Sequence, residues 1–143
     1  MIGAEDYSAI VQLIQRYAHA VDRRDWQTVQ ACLALEAVAD YGAGPIVGSA
    51  AIVAEIERVE SRFVATQHFL AAPLVTSEGT VARASSYAIA THVSGSPGAS
   101  TYFRVGSRYD DVLGRDGDGW RISRRTAEIL WSEGNSPVTA YPG

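Results

Sequence analysis

Four long runs with strand character fill the second half of the chain, at residues 64–76, 81–93, 101–113 and 120–131. Glycine, serine and aspartate mark the breaks between them at 77–79, 94–98 and 115–119, the residue types that reverse a chain tightly. Strands joined this closely form an antiparallel meander. Before Phe63 the pattern is helical. Tyr7, Ile10, Val11, Ile14, Tyr17, Ala18 and Val21 recur at helical spacing and predict an amphipathic helix over residues 5–21. Asp25 reads as the N-cap of a second short helix through Leu33, with Trp26 and Val29 facing inward. Residues 37–41 read as a short strand closed by Gly42-Ala43-Gly44-Pro45, and Ser49 reads as the cap of a third helix carrying Ile52, Ile56 and Val59 on one side. Helices followed by a meander imply an α+β fold, with helices laid on one face of a curved antiparallel sheet.

The 143 residues suit one domain spanning 1–143, with a core over about 5–132 and a loose polar tail after Ser132. Segments such as Phe69-Leu70-Ala71-Ala72 are apolar on both faces, where a sheet with one wet face would alternate. The second face is therefore expected to pack on another copy, giving a homodimer through the sheet.

Composition removes several function classes. A net charge of −4 argues against nucleic-acid binding, which needs a basic stripe. No apolar run approaches the roughly 18 residues of a membrane span, and no basic-then-apolar leader opens the chain. The one cysteine, Cys32, cannot form an internal disulfide and lies in an apolar stretch, so it reads as core and the expected compartment is the cytoplasm. Every basic residue is arginine, which rules out Schiff-base, pyridoxal-phosphate and phosphate-loop chemistry that needs a lysine. No Gly-x-Gly-x-x-Gly suggests a dinucleotide, and His19, His68 and His92 lack local ligand spacing, so neither cofactor nor metal is expected.

What remains is metal-free proton transfer. Tyr17 and Asp22 stand near the end of the first helix, and His68 lies in Thr66-Gln67-His68-Phe69. A carboxylate that orients an imidazole, with a phenol near, is sufficient equipment for a general base. Five residues of ideal helix leave Tyr17 and Asp22 about 140° apart, so they converge only if the helix ends or tightens near Val21.

The order of helix, Asp22-Arg23-Arg24-Asp25-Trp26, strand ending Asp40-Tyr41-Gly42, helix, Thr66-Gln67-His68-Phe69 and final strands with Asp118-Gly119-Trp120-Arg121-Ile122 resembles the SnoaL-like branch of the nuclear transport factor 2-like superfamily. The resemblance covers about residues 5–132. It implies a cone-shaped α+β barrel with a bent sheet around the N-terminal helix, three helices and a deep, mostly apolar central pocket. It further implies kinship with cofactor-free eliminases that use an Asp–His pair, such as scytalone dehydratase and bile acid 7α-dehydratase. Asp22 and His68 match that pair, Tyr17 matches a functional tyrosine, and Tyr41 matches a tyrosine that holds a catalytic water.

The expected catalytic residues are therefore Asp22, His68 and Tyr17, and the expected substrate-binding residues Tyr41, Tyr87, Ile89 and Thr91. His92 is expected to point away with the small residues Ala82, Ala84, Ser86, Ala88 and Ala90, and His19 to face solvent. Arg125 is expected to pair across strands with Asp110 or Asp111. The expected activity is a cofactor-independent lyase of the dehydratase type, or an isomerase, acting on a small apolar cyclic or polyketide-like compound. The alternative is a non-catalytic ligand-binding or dimerisation module of the same fold.

Overall fold

The computed structural model describes residues 1–136. In order, these form α1 (Ala4–Asp22), α2 (Trp26–Ala31), β1 (Leu33–Asp40), β2 (Pro45–Val47), α3 (Ser49–Glu60), β3 (Ala65–Leu70), β4 (Leu74–Glu78), β5 (Val81–Ser94), β6 (Thr101–Asp116) and β7 (Gly119–Gly134). The strands make one sheet in the order β2-β1-β7-β6-β5-β3, with β4 also paired to β5. No helix among the described residues is long and apolar enough to cross a membrane.

The class is α+β, as the order of periodicities predicts, and the sheet departs from the expected pattern in three places. The run 64–76 is two strands, because Pro73 cannot donate to a ladder and the chain leaves β5 over Ala71–Pro73 before rejoining it as β4. The sheet is mixed: β1 lies parallel to β7, pairing Val38 with Arg124 and Asp40 with Thr126, while its other contacts are antiparallel. The glycine-rich piece after Tyr41 is a tight return into β2, which adds an edge strand against β1. Among the helices, α2 is capped by the Asp25 side chain, which accepts from the Thr28 amide, but it stops at Ala31 because Leu33 already belongs to β1. Ser49 is the first residue of α3 and not its cap; Gly48 holds that position at φ 97°, which only glycine adopts without strain. β7 runs on to Gly134, two residues past the expected end of the core, and the rest of the expected loose tail, 137–143, lies outside the described residues.

Helix α1 packs its apolar stripe on the concave face of the sheet. Ile10, Ile14, Val29, Ile52, Leu113 and Ile122 are fully buried together, with Cys32 among them. Burial pushes the Cys32 thiol above its ordinary pKa, consistent with a core residue and not a nucleophile. The inward residues of β5 are Ala82, Ala84, Ser86, Ala88, Ala90 and His92. Ala82, Ala84 and Ala88 join the same apolar core as α1, and Ala90 and His92 line a cavity.

Candidate active site

Four strands bring the polar inner-face residues together. β3 pairs with β5 so that Thr66 stands opposite His92 and His68 opposite Ala90. Side chains alternate along a strand, so Thr66, His68 and His92 share the concave face, with the two imidazoles as diagonal neighbours. Their rings are 5.9 Å apart, edge to face. The end of α3 adds Glu60, which is 4% exposed, and β6 and β7 add Asp111 and Arg125 across from each other.

The junction after α1 fixes Asp22. The helix ends at Asp22, and Arg24 then takes a left-handed conformation at φ 59°. Such a turn closes helices at glycine or asparagine, and an arginine there is strained. Its guanidinium provides compensation: it donates to the Glu60 and Phe63 carbonyls and to Thr66 Oγ1, at 2.9, 3.3 and 3.0 Å, tying together the ends of α1 and α3 and the start of β3. Thr66 Oγ1 in turn donates to Asp22 Oδ1 at 3.0 Å.

Asp22 grips His68 twice. Its Oδ2 accepts from the His68 amide at 2.8 Å and its Oδ1 lies 2.7 Å from His68 Nδ1. Burial alone would raise the Asp22 pKa, but the hydrogen bonds and charge of His68, with the Thr66 hydroxyl, outweigh it and hold the carboxyl below its ordinary value. Asp22 is therefore an ionised acceptor, Nδ1 carries the ring proton, and Nε2 keeps its lone pair. His92 is held on the same side of its ring: Nδ1 lies 3.2 Å from the Phe103 carbonyl, which can only accept, so Nδ1 is the donor. The His92 ring is packed between Phe63 and Phe103, and its Nε2 lies 3.4 Å from Glu60 Oε2.

The lowered Asp22 value has a consequence for stability. Its contribution is fully present above the ordinary carboxyl value of 3.8 and is lost as pH falls through the lower folded value. Asp22→Asn should therefore flatten the acid limb of the melting-temperature profile below about pH 4. Parallel acid limbs for the two proteins would contradict the pairing.

Opposite the histidines, Arg125 is 1% exposed. Its Nε and Nη2 donate to Asp111 Oδ1 and Oδ2, both at 2.8 Å, the cross-strand pair expected from sequence. The guanidinium lies between the rings of Tyr17 and Tyr109, 4.4 and 4.6 Å from their centroids. Nη1 has no hydrogen-bond partner among the described residues. Burial would weaken this cation, yet Asp111 raises its pKa further above the ordinary arginine value. Tyr17 and Tyr41 share a 2.5 Å hydrogen bond between hydroxyls. Burial raises both phenols, and it raises Tyr109 to about 12, so all three are neutral donors at physiological pH and not bases.

A cavity of about 90 Å³ connects these groups, lined among others by Tyr17, Tyr41, Glu60, His68, His92 and Arg125. Tyr17, Tyr41 and His68 are thus at the cavity as expected. Asp22 stands behind His68 and touches the cavity only through it. Tyr17 and Asp22 do not meet, in keeping with their angular separation on an unbroken helix.

The strand-face assignment on β5 is corrected by one residue. Tyr87 and Ile89 are 62% and 43% exposed on the convex face with Thr91, whereas His92 is 1% exposed and faces the cavity. Bulk was a misleading guide: Ala82, Ala84 and Ala88 face inward as part of the apolar core. The same interleaving undoes the local-spacing argument against a metal, since ligands here would come from different elements. Sequence reasoning also missed Glu60, whose signal was its position four residues after Ile56 on the buried stripe of α3. His19 is exposed, as expected.

A sequence model of the SnoaL-like domain matches residues 3–126. No curated protein matches the chain. A solved structure from Novosphingobium aromaticivorans, provisionally named an aromatic ring hydroxylase, is 31% identical with a TM-score of 0.84, covering 94% of this chain and 96% of its own. A second from the same organism, provisionally named a scytalone dehydratase, has a TM-score of 0.82 at 18% identity, covering 94% and 91%. A type 2 hexachlorocyclohexane dehydrochlorinase has a TM-score of 0.79 at 14% identity, covering 94% and 92%. The last two establish likeness of fold.

Proposed function

The chain belongs to the SnoaL-like domain family, and from that premise we propose that it is a cofactor-independent lyase of the dehydratase type, with isomerisation as the close variant. The observation that carries this reading is the Asp22–His68 hydrogen bond of 2.7 Å at the wall of a cavity, with His68 Nε2 as the nitrogen left to act. His68 Nε2 takes a proton from a carbon next to a carbonyl. Asp22 holds the other ring proton on Nδ1 and stabilises the imidazolium that forms. Arg125 Nη1 and the Tyr17–Tyr41 hydroxyl pair are the donors for the developing enolate oxygen. In elimination, the C–H and C–O bonds break, a C=C bond forms, and the proton taken up by His68 leaves with the hydroxyl as water. In isomerisation the proton returns to another carbon. The fold likeness to a dehydratase and a dehydrochlorinase supports eliminase chemistry as a class.

The substrate class is a small, largely apolar cyclic or polyketide-like β-hydroxy carbonyl compound, because the cavity sets a few polar groups among Ala18, Val21, Ile56, Val59, Val105 and Ile129. The test is a panel of such compounds incubated with the protein in deuterated water and followed by NMR. Loss of water, or deuterium at the carbon beside the carbonyl, is the expected result. Tight binding of panel members with no exchange or elimination at any of them would favour the ligand-binding module instead.

The reading includes a homodimer. Phe69 pairs directly with Ile89, Ile89 with Gly106, and Gly106 with Trp131, making an apolar row across four strands of the convex face. Phe69, Ile89 and Trp131 are 69%, 43% and 44% exposed. A second copy laid on this face would cover the row. Sedimentation should give a dimer at micromolar concentration and a monomer for Ile89→Arg; a monomeric wild type would contradict it.

A further inference from the structure

Glu60, His68 and His92 form a second kind of site. Their donor atoms all lie within 4.8 Å of one another, on residues that come from α3, β3 and β5. We propose that these three side chains bind a divalent first-row transition-metal ion reversibly.

The donor set is two imidazoles and one carboxylate, a combination that suits zinc, cobalt or iron in the divalent state and leaves coordination positions open. The stronger argument is how the rings are held. Metal-binding histidines characteristically donate one ring N–H to a carboxylate or a backbone carbonyl, which fixes the tautomer and aims the other nitrogen at the ion. Both arrangements occur here: His68 donates from Nδ1 to Asp22 at 2.7 Å, and His92 from Nδ1 to the Phe103 carbonyl at 3.2 Å. With Nδ1 engaged on both rings, Nε2 is the ring nitrogen that each offers to an ion. Phe63 and Phe103 hold the His92 ring, so little ordering remains to be done on binding.

The distances are compatible with this. His92 Nε2 and Glu60 Oε2 are 3.4 Å apart, about the separation that two ligands at roughly 2.1 Å subtend in a tetrahedral site. The widest pair, bounded by 4.8 Å, has to close by up to about 1.4 Å. The open positions would face the cavity lined by Tyr17, Tyr41 and Arg125.

The inference goes beyond the proton-transfer reading, because His68 Nε2 cannot hold an ion and act as a base at once. Metal binding would therefore inhibit a cofactor-independent enzyme, which keeps the two readings separable by experiment.

The test is titration of chelator-treated protein with Co²⁺ in the absence of substrate, followed by visible absorption, with calorimetry of Zn²⁺ binding for stoichiometry. One ion per chain and visible bands of a four- or five-coordinate cobalt site are expected. Asp22→Asn, which touches no ligand atom of the ion, should weaken binding by about 10–100-fold. His92→Gln and Glu60→Gln should each weaken it by at least about that much, and His19→Gln, at an exposed histidine, should not. Circular dichroism melts of both ligand variants establish which of them is folded, and His68→Gln serves as the third. Absence of visible bands, or binding unchanged in a folded ligand variant, would overturn the inference. Turnover of the chelated protein decides the other reading. Full turnover without metal binding sinks only the metal site, and metal binding without any turnover sinks only the proton-transfer enzyme.

Discussion

His68→Ala should lower turnover by about 10²–10⁴-fold, the range a positioned general base contributes, with little change in melting temperature. The ring is partly exposed at the cavity wall and its side chain hydrogen-bonds to Asp22, so its removal costs chemistry more than packing. Asp22→Asn should approach that loss, although the amide preserves shape. An asparagine can present its NH₂ or its oxygen to Nδ1 but carries no charge to stabilise an imidazolium. Because the two act as a unit, the double variant should be little slower than the slower single one. Mild losses of a few-fold that multiply in the double variant would refute the dyad while leaving the fold untouched.

The largest effect on stability belongs to Asp111. Asp111→Ala should destabilise the protein by about 3–5 kcal/mol, the cost of stranding one member of a buried ion pair. Asp111 is 2% exposed, and it supplies both acceptors of the Arg125 guanidinium at 2.8 Å. A guanidinium is too basic to shed its proton as an escape, so the cation would stay buried without its partner. Replacing both partners together, by Asp111→Leu with Arg125→Met, should cost much less, since apolar groups of similar volume need no desolvated partner. Urea unfolding midpoints measure both. A single variant no worse than the double would mean that water reaches the guanidinium and that the pair is not sealed.

Sequence periodicity was enough for the first helix and for β5, β6 and β7, because long amphipathic or alternating segments repeat their signal many times. It erred where one residue decides: Pro73 splits a strand, Gly48 displaces Ser49 as a helix boundary, and the parallel β1–β7 contact is a long-range pairing that no local pattern encodes. The candidate site divides in the same way. Asp22, His68, Tyr17 and Tyr41 were found through the arrangement of motifs along the chain. Glu60 and Asp111 were not singled out for the site, since a carboxylate on an apolar stripe reads as a solvated residue until the tertiary contacts that bury it are known. His92 was assigned to the wrong face because an alanine-rich strand face can be either a close helix contact or an interface. Only the position of α1 decides between them.

The central claim concerns one proton. Asp22 fixes it on Nδ1 of His68, leaving Nε2 as the base. NMR of the ring nitrogens in protein labelled with ¹⁵N at histidine tests this without a substrate, at a pH where the ring is neutral. The account predicts a protonated Nδ1 and an unprotonated Nε2 for His68 in the wild type, with that preference weakened in Asp22→Asn. A wild-type His68 carrying its proton on Nε2 would contradict it, because the nitrogen facing the cavity would then have no lone pair with which to take a proton.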